Sequence, residues 1–83
     1  MTTSAIQVIA FLKEAELPYD GTLTAETSLI QSGLLDSLIL FRLALWIEAE
    51  AGQPIDLADV EIAQAWDTPE QIARFIDGLR NRA

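Results

Sequence analysis

The chain has 83 residues, a length that fits one domain spanning residues 1–83. Hydrophobic residues make up 51% of it, too many for a disordered segment, and the formal net charge of −8 disfavours a nucleic-acid partner, which requires a basic patch. Because the chain contains neither Cys nor His, a disulfide framework, a thiolate zinc site and the commonest metal ligand are excluded as well.

The acidic charge is concentrated in the middle of the chain. Residues 14–73 hold 12 of the 13 acidic residues and a single base, Arg42. This charge could steer a partner with a basic surface, or it could simply keep a small domain soluble. Met1–Ser4 lacks the positive start of a secretion signal, and the apolar stretch Leu38–Ile47 is too short to span a bilayer. We therefore expect a cytoplasmic monomer without a membrane span.

The first helix is expected to begin at Ser4, because Gln7 follows it at the spacing of a capping box. Pro18 and Gly21 are expected to end it. A long connection over residues 17–35 follows, and connections of this length are usually functional. Gly33 is expected to supply a backbone conformation closed to other residues. The residues expected to pin this connection to the core are Leu23, Leu29, Leu34 and Leu35.

The second helix is expected to run from Ser37 to Ala51, capped by Asp36 or Ser37 and ended by Gly52 and Pro54. It is apolar on all sides, and a chain this short has too little protein to bury every side, which favours a docking face. The predicted core stripe is Leu40, Leu43, Ala44, Ile47 and Ala51. The predicted outer face is Leu38, Arg42, Leu45 and Ala49, flanked by Phe41 and Trp46, and Arg42 could stack on Trp46 as a cation–π pair.

Two further helices complete the chain. A short one is expected near Leu57–Gln64 with Asp56 as its cap, and Trp66 is expected to fill the core. The last helix is expected to have Thr68 as its cap, Pro69 in the first turn and Gln71 completing a second capping box. Its apolar residues are Ile72, Phe75, Ile76 and Leu79. The sum is an all-α bundle of three main helices plus one short helix.

Little in the chain could catalyse a reaction or bind a metal. No pair of carboxylates is set for acid–base work. Asp56, Asp59 and Glu61 lack the glycine and the closing glutamate of a calcium loop, which favours a solvated acidic face. Ser37 stands next to a carboxylate at a helix start, in a chain without a catalytic His or Cys. We therefore interpret Ser37 as an attachment point, and we predict no catalytic residue and no metal site.

The order of these motifs along the chain is similar to that of a known protein family. G-L-L-D-S-L opens a long apolar helix ending I-E-A-E-A-G, and a short acidic helix and a final T-P-E-Q-I helix follow. Over roughly residues 4–80 this resembles the acyl carrier protein family. The resemblance implies a 4'-phosphopantetheine arm from coenzyme A, attached to Ser37 beside Asp36 by a phosphopantetheinyl transferase. The arm's thiol would hold an acyl or aminoacyl group as a thioester.

The pattern also bears on the pathway and the partners. The positions after Ser37, where fatty-acid carriers usually have acidic residues, are Ile39, Leu40, Phe41 and Arg42. S-L-I-L-F-R-L is similar to peptidyl carrier domains, whereas W-D-T-P and G-L-L-D-S are similar to D-alanyl carrier proteins. We favour a free-standing carrier of polyketide or nonribosomal-peptide type, with a D-alanyl or fatty-acid carrier as alternatives within the family.

The resemblance further implies enzymes that load and use the carrier. The loading enzyme would be an adenylating ligase or an acyltransferase, and downstream synthases or transferases would take the cargo. The predicted docking surface is Asp36, Leu38, Phe41, Arg42 and Leu45. The rival from another class is a cofactor-free helical adaptor that uses the same apolar helix. A small enzyme is a third class, which the missing His and Cys disfavour.

Overall fold

The computed structural model describes residues 4–15, 17 and 21–81. Within these ranges every regular element is helical. The elements are α1 (Ala5–Glu14), α2 (Ser37–Ala51), a 3₁₀ turn (Leu57–Asp59), α3 (Ile62–Ala65) and α4 (Pro69–Arg80). The predicted all-α bundle of three main helices and one short helix is confirmed. Pro18, which was expected to end α1, lies outside the described residues, and the helix itself ends at Glu14.

Each long helix begins directly after a residue that was expected as its cap, and for α2 the cap is Asp36 and not Ser37. Ser4 forms the complete capping box with Gln7, since each side chain accepts a hydrogen bond from the other residue's backbone N–H. The Thr68 hydroxyl accepts from the backbone N–H of Gln71 at 3.1 Å. The second bond of the expected capping box, from the Thr68 backbone N–H to the Gln71 side chain, is not observed among the described residues. The start of α4 therefore has only one of the two capping-box bonds.

The core lies where α4 packs against α1, α2 and α3. Its largest member is Trp66, which is fully buried and confirms the predicted core-filling role. The four leucines that were predicted to pin the long connection also pack against this core, with Leu29 fully buried and the other three partly so. The buried hydrophobic residues are Val8, Leu12, Leu29, Ile39, Leu43, Ala44, Ile47, Ala51, Trp66, Ile72, Ala73 and Ile76.

The predicted core stripe of α2 is buried at four of its positions, and Leu40, its first member, packs against the core while staying partly exposed. Ile39 is buried, whereas Leu40 is only partly buried. The observed stripe runs through Ile39, Leu43, Ile47 and Ala51 at steps of four residues, with Ala44 beside it. Because α2 is apolar all round, helical periodicity allows either starting residue, and packing against the other elements decides between them.

The predicted short helix over Leu57–Gln64 is two separate pieces. Asp56 caps the 3₁₀ turn as expected, accepting from the backbone N–H of Ala58 at 3.0 Å. Val60 then adopts an extended conformation, with φ of −106° and ψ of 126°, which interrupts the helix. The β-branched side chain of Val60 favours this geometry. No helix in the described ranges has the length and apolar character needed to cross a membrane.

Candidate functional site

Ser37 is the first residue of α2, and its side chain is exposed. Within the described part of the chain its hydroxyl makes no hydrogen bond. The residue therefore presents a hydroxyl that is open to an incoming reagent and that the fold does not use for its own stability.

Asp36 supplies the cap that leaves Ser37 unused. Its carboxylate oxygen Oδ1 accepts from the backbone N–H of Ile39 at 2.8 Å, and its carbonyl accepts from Leu40 at 2.9 Å. The backbone N–H groups of Ser37 and Leu38 have no acceptor among the described residues. These two donors lie at the positive end of a 15-residue helix, a position that favours a negatively charged group.

Asp67 anchors the loop that leads into Ser37. Its carboxylate accepts from the Ser28 hydroxyl at 2.9 Å and from the backbone N–H groups of Ile30 and Gln31 at 3.0 and 2.8 Å. Its backbone carbonyl also accepts from the N–H of Leu29. One residue at the entrance of α4 thereby fixes four consecutive loop residues, and the loop in turn sets where α2 begins.

The rest of the loop is held by local bonds. The Ser32 hydroxyl donates to the Ser28 carbonyl at 2.6 Å, and the Leu35 N–H donates to the Leu29 carbonyl at 3.1 Å. Gly33 has φ of 79°, the left-handed conformation that was expected from the sequence. Substitution of Gly33 would be strained by this backbone geometry, although the space around a Cβ atom is open.

The same contacts lower the pKa of the Asp67 carboxyl below its ordinary value of 3.8. The largest cause is the hydrogen bond from the Gln31 backbone N–H, with desolvation opposing it and the Ser28 hydroxyl and the Ile30 N–H assisting. A carboxyl whose pKa is depressed in the folded state contributes stability above its unfolded pKa. That contribution is lost as the pH falls through the folded pKa.

We expect Asp67→Asn to flatten the acid dependence of stability. An amide can accept the same bonds but carries no charge, so the variant should be less stable at neutral pH, by about 1 kcal/mol. Below about pH 4 its stability should approach that of the wild type, because protonation removes the advantage of the charged form there. Urea unfolding followed by circular dichroism between pH 2 and pH 7 measures both curves.

Asp59→Asn is the matched control. Asp59 is exposed, and its side chain has no hydrogen bond in the described structure. Its variant should keep the wild-type pH dependence. Equal acid responses in Asp67→Asn and the wild type would show that the Asp67 carboxylate does not hold the loop through its charge.

The outer face of α2 is exposed and apolar with one cation. We use the name α2 outer face for Leu38, Phe41, Arg42 and Leu45. The three apolar side chains are 59%, 57% and 51% exposed, respectively for Leu38, Phe41 and Leu45. Arg42 is also exposed and has no ion-pair partner in the described ranges. The surface expected from the sequence is therefore available for contact.

The proposed stacking of Arg42 on Trp46 is not observed. Trp46 instead stacks on Phe11 of α1, with ring centroids 4.9 Å apart and an interplanar angle of 17°. Parallel stacking of two aromatic rings removes more apolar surface from water than an exposed guanidinium on one ring does. Trp46 therefore links α1 to α2, and Arg42 remains free to contact a partner.

The acidic residues of the segment after α2 were also considered as ligands for a hard cation. Among the described residues no group of three or more potential ligand side chains comes together. Asp56 caps the 3₁₀ turn, while Asp59 and Glu61 are exposed. The interpretation of this segment as a solvated acidic face agrees with these positions.

Sequence reasoning missed Asp67 as a positioning residue. Its partners Ser28 to Gln31 lie 36 to 39 residues away in the chain, so no local spacing connects them. The W-D-T-P motif was the available signal. Within it Trp66 fills the core, Asp67 holds the loop and Thr68 caps α4.

The fold is a small all-α bundle that presents an exposed serine at the start of α2. A D-alanyl carrier protein from Enterococcus faecalis is 33% identical to this chain over 55 residues, which cover 66% of this chain and 69% of the relative. No protein-family model matches the chain, and no solved structure matches it. The chain belongs to the carrier-protein family, and it is a carrier rather than an enzyme.

Proposed function

We propose that the chain carries acyl or aminoacyl groups on a 4'-phosphopantetheine arm attached to the Ser37 hydroxyl. The observation that carries this proposal is the exposed, unbonded hydroxyl of Ser37 at the start of α2 in a member of the carrier family. Asp36 supports the site from the side, because it caps the helix and leaves the Ser37 and Leu38 N–H groups without an acceptor.

The residues around Ser37 fit such an arm. A phosphodiester there would be negatively charged, and the N-terminal end of α2 with its two free donors favours negative charge. The arm would supply a thiol that holds cargo as a thioester, and this chain has no Cys that could supply one. The α2 helix fixes the attachment point, while Asp67 and the loop hold the start of α2 in place.

Attachment of the arm to Ser37 would be a phosphoryl transfer, in which one bond to phosphorus forms and another breaks. The Ser37 oxygen forms a bond to the phosphorus of coenzyme A that bears the pantetheine, and the phosphoanhydride bond to the neighbouring phosphorus breaks. Adenosine 3',5'-bisphosphate leaves, and the serine proton passes to a base. The chain offers no evident base at Ser37, so a phosphopantetheinyl transferase must supply it.

Intact-mass measurement tests this proposal. The purified chain is incubated with coenzyme A, magnesium and a broad-specificity phosphopantetheinyl transferase, and then weighed by mass spectrometry. We expect a gain of one phosphopantetheine per chain. An unchanged mass, beside an unrelated carrier that is modified in the same reaction, would contradict the proposal. That outcome would favour the cofactor-free adaptor, which the exposed α2 outer face also supports.

The proposal extends to the group that the arm carries and to the type of pathway that uses it. The D-alanyl carrier relative and the resemblance of W-D-T-P to D-alanyl carrier proteins favour an aminoacyl cargo loaded by an adenylating ligase. A free-standing carrier of polyketide or nonribosomal-peptide type, loaded by a ligase or an acyltransferase, is the alternative. Downstream synthases or transferases would receive the cargo in either pathway. The cytoplasmic location and the monomeric state stay predictions.

The α2 outer face is the surface that we propose partner enzymes contact. It adjoins Ser37, so a partner that binds there also holds the arm near its own active site. Three exposed apolar side chains give contact area, and Arg42 gives one positive charge in an acidic chain. A partner with an apolar pocket and a carboxylate beside it would match this surface.

We expect Arg42→Glu to slow loading by the partner enzyme by about tenfold in kcat/KM, because it replaces an attractive charge with a repulsive one. Thioester formation on the arm-bearing protein, followed by mass spectrometry, measures the rate. Arg74→Glu is the control, since Arg74 on α4 is 78% exposed and its pair with Glu70 at 3.2 Å is a surface contact of little energetic weight. Equal slowing by both variants would mean that net charge, and not the α2 outer face, is recognised.

A further inference from the structure

The interior of the bundle is closed next to Ser37. The first inward-facing residue of α2 is Ile39, which is 5% exposed, and Leu43 and Ile47 behind it are fully buried. Leu29 of the anchored loop is also fully buried. A chain entering the bundle from the Ser37 end would therefore have to separate side chains that are already in close contact.

Trp66 belongs to the same closed core. It is the largest of the fully buried side chains, and the ring of Phe75 meets it edge-on with centroids 5.4 Å apart. Trp66 lies between α3 and α4, and its neighbour Asp67 is tied to the loop by several hydrogen bonds. The indole is closed off from solvent within the core.

Two surface grooves of the described residues are separate from the arm site. One, of about 230 Å³, is lined by residues of α1 and the start of the long connection. The other, of about 180 Å³, lies between the segment after α2 and the part of α4 that contains Phe75 and Leu79. Neither groove is lined by a residue of α2. The second begins at Pro54, beyond the end of α2 that is opposite Ser37.

We infer that cargo on the Ser37 arm stays outside the bundle, which suits this carrier to short acyl or aminoacyl groups and not to long fatty acyl chains. This inference deepens the proposed function and depends on it. A long apolar chain left in water has a hydrophobic cost that grows with each CH₂ group, whereas a short or charged group has little to gain from burial. Trp66 acts as the residue that limits cargo length by filling the interior.

A series of cargo lengths tests this inference. The transferase is given acetyl-, hexanoyl- or octanoyl-coenzyme A, and each loaded protein is checked by intact mass. We expect the three loaded forms to melt within about 2 °C of one another, because no cargo gains a buried site. We also expect unchanged amide resonances for Leu43, Ile47 and Ile72 in heteronuclear NMR spectra.

A Trp66→Leu variant gives the opposite expectation. The smaller side chain opens space in the core, so octanoyl cargo should raise the Tm of this variant above that of its acetyl form by more than about 4 °C. If the variant does not fold, the wild-type series decides alone. An octanoyl-dependent rise in wild-type Tm with shifted core resonances would overturn the inference but leave the proposed function intact. Failure of any coenzyme A derivative to modify the protein would overturn both.

Discussion

The Ser37→Ala variant should accept no arm, whereas the wild type should accept one arm per chain. The expected change is a complete loss because the oxygen that forms the bond to phosphorus is removed. The fold should survive, since the Ser37 side chain makes no hydrogen bond in the described structure and alanine is a better helix former than serine. Intact-mass spectrometry after incubation with coenzyme A and the transferase measures the loss.

Ser32→Ala is the matched control for this result. Ser32 is an exposed serine in the loop before α2, and its hydroxyl donates to the Ser28 carbonyl. This variant should gain one arm as the wild type does. Modification of Ser37→Ala, with circular dichroism spectra equal to those of the wild type, would place the arm on another residue and refute the site.

Replacing Trp66 with alanine should cause the largest loss of stability of any single truncation that we consider, about 3–5 kcal/mol. Trp66 is fully buried, and its removal leaves a cavity against Phe75 and the core of α4. Small domains have only about 5–15 kcal/mol of total stability, so a substantial unfolded population is expected at 37 °C. Urea denaturation monitored by circular dichroism provides the free energy of unfolding.

Two other tryptophan variants serve as comparisons for the loss of stability in Trp66→Ala. Trp66→Phe should cost much less, because it keeps most of the apolar volume and removes an indole N–H that has no hydrogen-bond partner in the described structure. Trp46→Ala should also cost less, since Trp46 is only partly buried. A Trp66→Ala protein as stable as Trp46→Ala would show that the core does not depend on the Trp66 ring.

Local signals in the sequence were enough to place the helix starts. Ser4, Asp36 and Thr68 each cap the helix that was predicted for them, because a capping interaction spans only three residues. Gly33 and Gly52 both have positive φ, as turn and helix-end glycines do. These features depend on nearby residues, which is why one sequence suffices to find them.

The failures came from contacts between distant parts of the chain. The choice of Ile39 over Leu40 depends on the elements that cover α2, and the stacking of Trp46 on Phe11 depends on how α1 crosses it. The loop contacts of Asp67 span more than 35 residues. Residue spacing within one helix contains no information on any of these.

In the candidate site, too, the local features were predictable from the sequence and the long-range contacts were not. Its central residue, Ser37, was predicted from a local motif and a family resemblance, and the structure leaves its hydroxyl exposed. The exposed apolar side of α2 was predicted because an 83-residue chain has too little protein to cover that helix on every side. The anchoring of the loop by Asp67 was absent from the prediction, since no nearby residue reveals its partners.

Fragmentation mass spectrometry of the wild-type protein after incubation with the transferase tests the central claim most directly. The proteolytic peptide that contains Asp36 and Leu38 is isolated, and the position of the added group is read from its fragment ions. We expect the entire added mass on Ser37. An arm on any other hydroxyl, or a peptide of unchanged mass, would contradict the assignment of this residue as the point from which the carrier holds its cargo.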